Sequence, residues 1–133
     1  MLIRENEAPR TILIVEDESG IRGLVRQVLE MSGYHVLEAG SGHEALAIAK
    51  AWGGIISLLI TDIKMPEMNG REVARRLALL RPGLNTLFVS GYTEDEVLRA
   101  DVEASTCAFL QKPFSVPSLL RQVKSVIGEL QPV

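Results

Sequence analysis

Five short apolar runs, each followed by a segment with helical spacing or a helix-starting signal, dominate this chain of 133 residues. The strand candidates are 11–16, 34–39, 55–61, 85–90 and 107–111. Between the first two, Ile21, Leu24, Val25, Val28 and Leu29 recur as one apolar helix stripe. Ser41 and Glu44 form a capping-box pair that opens a second helix through Ala45, Leu46, Ile48 and Ala49, and Gly53-Gly54 stops it. Val73, Ala74, Leu77 and Leu80 mark a third helix, closed by Pro82-Gly83. Thr93 and Glu96 repeat the capping box at the start of a short polar fourth helix. Ser115 caps a fifth, with Leu119, Leu120, Val123, Val126, Ile127 and Leu130 as its apolar face. Such alternation predicts an α/β fold: a single doubly wound five-stranded parallel sheet with helices on both faces.

The length suits one domain, read as 11–130 after a leader at 1–10 and before a tail at 131–133. A formal net charge of −3, without a long basic cluster, gives no direct nucleic-acid surface. No apolar stretch is long enough to span a bilayer, so no direct membrane contact is expected. The leader is too acidic for a secretory signal. A single cysteine, Cys107, excludes an intramolecular disulfide and fits a small buried residue in a reducing compartment. A cytoplasmic domain is the expectation.

Three of the apolar runs end in charge. Ile12 to Val15 stops at Glu16-Asp17, the run through Thr61 stops at Asp62, and Ala108 to Gln111 stops at Lys112-Pro113. In strand order 2-1-3-4-5 the ligand crevice lies outside the carboxyl ends of strands one and three. Glu16, Asp17 and Asp62 would bring −3 there, whereas Lys112 and one divalent cation would bring +3. Oxygen donors without thiolates or paired histidines favour a hard ion, Mg²⁺, with Mn²⁺ as a substitute.

Four segments carry a family resemblance: Ile12-Leu13-Ile14-Val15-Glu16-Asp17-Glu18, Thr61 through Gly70, Val89-Ser90-Gly91-Tyr92-Thr93, and Phe109-Leu110-Gln111-Lys112-Pro113-Phe114. Together, in this order, the chain resembles the receiver domains of two-component signalling, most like those at the C-terminal end of hybrid sensor histidine kinases. The resemblance implies a flavodoxin-like (βα)5 fold and Mg²⁺-dependent transfer of a phosphoryl group from phosphohistidine to Asp62. It makes Asp17, Asp62 and the backbone carbonyl of Lys64 metal ligands, with Glu16 acting through a metal-bound water where the family usually has Asp. Lys112 and Ser90 would contact the phosphoryl group, and the Lys112–Pro113 bond would be cis. Ser90 and Phe109 would form the switch, read out on the face of helix four, strand five and helix five. The Lys64 side chain and Tyr92 would modulate the site. The implied partners are a histidine kinase or a histidine phosphotransfer protein, with the domain itself a monomer or weak dimer and not an enzyme in isolation.

Other readings stay open at this point. A stand-alone regulator or phosphate sink would share every motif. A phosphoaspartate-forming phosphatase would want a second Asp two residues after the nucleophile, where Lys64 stands. A flavin module would want a hydroxyl- and glycine-rich loop after strand one, where Glu16-Asp17-Glu18-Ser19-Gly20 stands. His35 and His43 are expected at the surface, and Trp52, Met65 and Met68 in packing.

Overall fold

The computed structural model describes residues 9–91 and 107–128. Most of the leader, Tyr92, the predicted helix from Thr93, Leu130 and the tail lie outside the described residues, as does the Cys107 side chain. The strands are β1 (Thr11–Val15), β2 (His35–Ala39), β3 (Leu58–Asp62), β4 (Asn85–Ser90) and β5 (Cys107–Gln111). The described helices are α1 (Ser19–Met31), α2 (Gly42–Ala51), α3 (Gly70–Leu80) and α4 (Val116–Ile127), the last being the fifth helix predicted. All strand pairs are parallel, and the sheet order is β2-β1-β3-β4-β5. This is the flavodoxin-like doubly wound sheet expected from the alternation.

Because successive strand residues point to opposite faces, each central strand feeds two cores. Ile12, Ile14, Leu58 and Ile60 pack with Val25 and Leu29 of α1 and Leu119 and Val123 of α4. Leu13, Val15 and Leu59 pack on the other face with Ala45 and Ala49 of α2 and Val73 and Leu77 of α3. Leu13, Leu59 and Leu77 are wholly buried. Each such side chain contributes about 1.5–3 kcal/mol, against roughly 0–1 for an exposed ion pair, so packing holds this fold.

Helix starts follow local chemistry. Ser41 Oγ accepts the Glu44 N–H at 3.1 Å, as the capping box requires. The returning Glu44 carboxylate accepts from Gly40 N at 2.6 Å, one residue earlier than the standard box. Ser115 accepts from Ser118 N, and Asn69 accepts from Glu72 N to start α3.

Three expectations need correction. Residues 55–57 precede β3 instead of belonging to it. Gly53-Gly54 let the chain swing out before the ladder begins, leaving Ile55 80% exposed while Ile56 closes the α2 core. Ser57 N donates to Thr11 O at 2.8 Å just before the strand starts. The ends of β1 and β2 are likewise tighter: Glu16 and Tyr34 flank strands that span 11–15 and 35–39. Leu24 is not part of the core stripe either; it is 58% exposed, because Val25 and Leu29 occupy the centre of the buried face. His35 is exposed on the edge strand and stacks on Trp52, with ring centroids 5.1 Å apart. Met68 is buried, and Met65 packs against the same cluster.

Candidate functional site

The site forms where β1, β3, β4 and β5 end. Glu16 and Asp17 follow β1 directly, and Asp62 closes β3, paired in register with Val89. Ile63 N donates to Val89 O and Lys112 N donates to Ser90 O, at 3.0 and 2.8 Å. Those bonds carry the parallel ladder one step beyond the strands and fix the tips that bear Asp62, Ser90 and Lys112. The Lys112–Pro113 peptide is cis, as the resemblance implied.

Carboxylate oxygens of Glu16, Asp17 and Asp62 all lie within 4.8 Å of one another. Lys112 Nζ reaches Asp62 Oδ2 at 3.2 Å and Glu16 Oε1 at 3.3 Å. Glu16 is 5% exposed, and its second oxygen accepts the Glu18 N–H at 3.2 Å. Asp17, by contrast, is exposed and leaves the cluster open to solvent on its side.

Burial pushes the Glu16 carboxyl above its ordinary pKa, with the Asp62 charge adding to the rise and the Glu18 N–H and Lys112 opposing it. Burial also raises Asp62; Lys112 pulls it back and Asp17 pushes it further up. For Lys112, desolvation works against the ammonium, but the two carboxylates outweigh it and its pKa rises. Three carboxylates against one ammonium leave a formal −2 in a half-buried space. A divalent cation cancels that charge, and an all-oxygen donor set open on one side fits a hard ion that keeps part of its water shell. The residues therefore fit Mg²⁺.

Ser90 is 2% exposed at the end of β4, and Lys64 is exposed; both line, with Asp62 and Lys112, a cavity of about 620 Å³. Its far wall is apolar: Ile21, Leu24 and Val28 of α1, with Phe114 and Val116 leading into α4. Phe109 pairs in register with Phe88 and packs, half-buried, against the Ile63–Phe88 cluster. Tyr92 lies outside the described residues. Glu16, Asp17, Asp62, Lys64, Ser90 and Lys112 are all at this end of the sheet, whereas Phe109 lies in the middle of β5.

A family profile described as a response regulator receiver domain matches residues 12–124. The chain belongs to that family. It is 40% identical over 117 residues to the sensor kinase CckA of Brucella abortus (strain 2308), matching 88% of this chain but 12% of that kinase. It is 35% identical over 119 residues to the response regulator receiver protein CpdR of the same strain, matching 89% of this chain and 97% of CpdR. Among solved structures, the receiver domain of the hybrid histidine kinase CckA superposes with a TM-score of 0.76 at 34% identity, covering 88% of this chain and 98% of that one. The Vibrio cholerae chemotaxis protein CheY4 gives 0.81 at 29% identity, covering 90% and 99%. The chain is thus a two-component receiver domain, a signalling module whose acidic cluster is of the kind that binds Mg²⁺ in this family.

Two structural roles at the site were not read from the sequence, those of Gly70, which ends one of the resembling segments, and Arg22. A Cβ on Gly70 would sit 2.2 Å from the backbone oxygen of Asp62, so only glycine lets α3 start this close to the β3 tip. Gly70 N also donates to Ile63 O at 2.8 Å. Its signal was present in Asn69-Gly70-Arg71-Glu72, a helix-start pattern directly after Asp62's loop. Arg22 is the second; its N–H donates to the backbone oxygen of Glu16 at 2.7 Å. Nothing in the sequence separates it from an ordinary solvated helix arginine.

Proposed function

We propose that residues 11–130 form a phosphoacceptor domain in which Asp62 takes a phosphoryl group from a phosphohistidine. One observation carries this: Asp62 sits at a strand tip beside two further carboxylates and within 3.2 Å of the Lys112 ammonium. A carboxylate oxygen of Asp62 attacks phosphorus, the O–P bond forms, and the P–N bond breaks with its electron pair returning to the imidazole. The transition state carries its charge on the equatorial oxygens, so positioned cations do most of the catalysis. Lys112 would offset that charge, and Ser90 would donate its hydroxyl to a phosphoryl oxygen. Asp17, Asp62 and the Lys64 carbonyl would hold Mg²⁺, with Glu16 contributing through water; the ion supplies charge neutralisation for the incoming phosphoryl group.

The apolar wall beside Asp62 supports docking of a donor domain over α1 and the segment entering α4. Ser90 moving towards the new phosphoryl oxygens would release Phe109 from its present packing and alter the partner-reading face near β5 and α4. The Lys64 side chain, exposed at the cavity, would slow water attack on the acyl phosphate. The likeness to CckA supports a place in a hybrid-kinase phosphorelay. The likeness to CpdR over nearly all of its length supports a stand-alone regulator, the second reading. Phosphotransfer profiling against purified histidine kinases and phosphotransfer domains tests both. Label should pass to the chain only with Mg²⁺ and should vanish in Asp62→Asn; full labelling of that variant would overturn the assignment.

A further inference from the structure

We propose that Arg22 is a positioning residue for the acidic turn: by holding the Glu16–Asp17 peptide it sets the geometry in which Mg²⁺ binds. The role rests on the functional reading above and extends it to a residue outside the ligand set.

Within the turn itself, Glu18 N donates to Glu16 Oε2 at 3.2 Å, which ties the Glu16 side chain but leaves the Glu16–Asp17 peptide plane to other partners. Glu18, the residue capping α1, makes no side-chain capping bond. Glu16 N is tied to Ala39 O at 3.1 Å, so the incoming side of the turn is anchored to β2. On the outgoing side, the carbonyl of Glu16 accepts from Arg22 Nη1 at 2.7 Å. That carbonyl belongs to the peptide unit joining the two acids, so its plane sets the direction in which Asp17 leaves the chain. Arg22 is itself braced. Its Nε ion-pairs with Glu38 Oε1 of β2 at 3.2 Å, and Arg26 Nε approaches Glu38 Oε2 at 2.7 Å, out of line for a hydrogen bond. Gly40 leaves room for the guanidinium; a Cβ there would lie 3.1 Å from Arg22 Nη1. One planar fork thus joins α1, the edge strand and the acidic turn, which a lysine cannot reproduce.

Electrostatics and positioning predict opposite signs. Arg22 places a positive charge beside a cation site, so its removal should tighten Mg²⁺ binding if charge alone mattered. If Arg22 holds the peptide, its removal should weaken binding. Partners that orient metal ligands are worth roughly tenfold or more in affinity.

The experiment is Mg²⁺ titration by calorimetry of the full chain, with thermal melts and amide chemical shifts of the metal-free protein. Arg22→Gln and Arg22→Lys should weaken Mg²⁺ roughly tenfold. Glu38→Gln, which leaves the donor in place but unbraced, should weaken it less. The double variant Arg22→Gln/Glu38→Gln should bind no worse than Arg22→Gln alone. The Asp17 amide should shift in each of these variants before any metal is added. Arg75→Gln, which breaks an exposed ion pair on α3, serves as the control and should leave both readings unchanged. Unchanged or tighter Mg²⁺ binding in a folded Arg22 variant would overturn the proposal. Should Arg22→Gln fail to fold, Arg22→Lys and Glu38→Gln decide by the same criterion. Failure of the native chain to bind Mg²⁺ would instead remove the metal reading itself; an unmoved Asp17 amide would then still refute the hold by Arg22.

Discussion

The two ends of the sheet handle charge in opposite ways. At the amino-terminal end, a cavity of about 830 Å³ is bordered by Arg10, Arg81, Ile55 and Leu80. Both arginines there are occupied with carbonyls. Arg81 donates to Ala49 O, Trp52 O and Gly54 O at 3.0, 2.7 and 2.6 Å, satisfying the end of α2, and Arg10 donates to Ile127 O at the end of α4. Helix ends carry partial negative charge and orphan acceptors, so these guanidiniums complete the fold. At the carboxyl end, three carboxylates crowd around one ammonium, burial raises two of their pKa values, and a formal −2 is left over. Charge that the fold satisfies is structural. Charge that it leaves exposed to repulsion marks the place where a ligand acts.

Substitutions at the two ends should therefore separate function from stability. The largest effect is expected from Asp62→Asn, which should abolish phosphoryl labelling yet leave the metal-free protein as stable as before or up to about 1 kcal/mol more stable, since one buried repelling charge is gone. Denaturant melts and labelling of the same samples check both halves. Gly70→Ala should damage both properties: a methyl 2.2 Å from the Asp62 carbonyl must displace backbone, at a cost of about 3 kcal/mol, and labelling should drop with it. Arg81→Ala should be the mirror image, losing about 1–2 kcal/mol of stability while Mg²⁺ affinity stays at the native value.

The smallest predicted effect is a pH dependence whose sign differs between the ends of the carboxylate range. Glu16 and Asp62 hold their protons more tightly when folded. Their contribution favours folding below their ordinary values of 4.5 and 3.8 and is lost as pH rises through the raised ones. Glu72 on α3, held down to about 2 by Arg75 and Arg76, contributes stability present above 4.5 and lost as pH falls towards 2. Lys112, with its raised pKa, contributes below 10.5 and loses that contribution only as pH climbs through the higher folded value. Melting temperatures of Glu16→Gln should accordingly fall less than those of the native chain as pH rises from about 4.5 to 7, and saturating Mg²⁺ should erase most of that difference. Parallel curves for the two proteins without metal would contradict the strain assigned to this cluster.

What the sequence revealed follows the same division. Glu16, Asp62 and Lys112 were legible because a charged residue directly after a buried apolar run needs a partner, Asp17 followed from standing next to Glu16, and alternation of strands and helices left few ways to arrange those runs. Ser90 and Phe109 became visible through the receiver resemblance. Arg22, Gly70 and Arg81 were not legible as contacts. Their partners are backbone atoms, close in sequence for Arg22 and Gly70 and in a distant segment for Arg81, and no side-chain pattern records where a carbonyl will point. The start of β3 was misplaced for a related reason: Ile55 and Ile56 read as strand by composition, yet the glycines before them send one outward and the other into the α2 core. Periodicity reports burial along one element, and Leu24 shows its limit. That residue lies on the edge of the α1 stripe and faces the cavity beside Asp62 instead of the core.

The most direct test is to trap the acyl phosphate chemically. After incubation with acetyl phosphate and Mg²⁺, borohydride reduction and peptide mass spectrometry should find homoserine at position 62, and none when the metal is chelated. Homoserine at another aspartate, or equal labelling without Mg²⁺, would contradict the account.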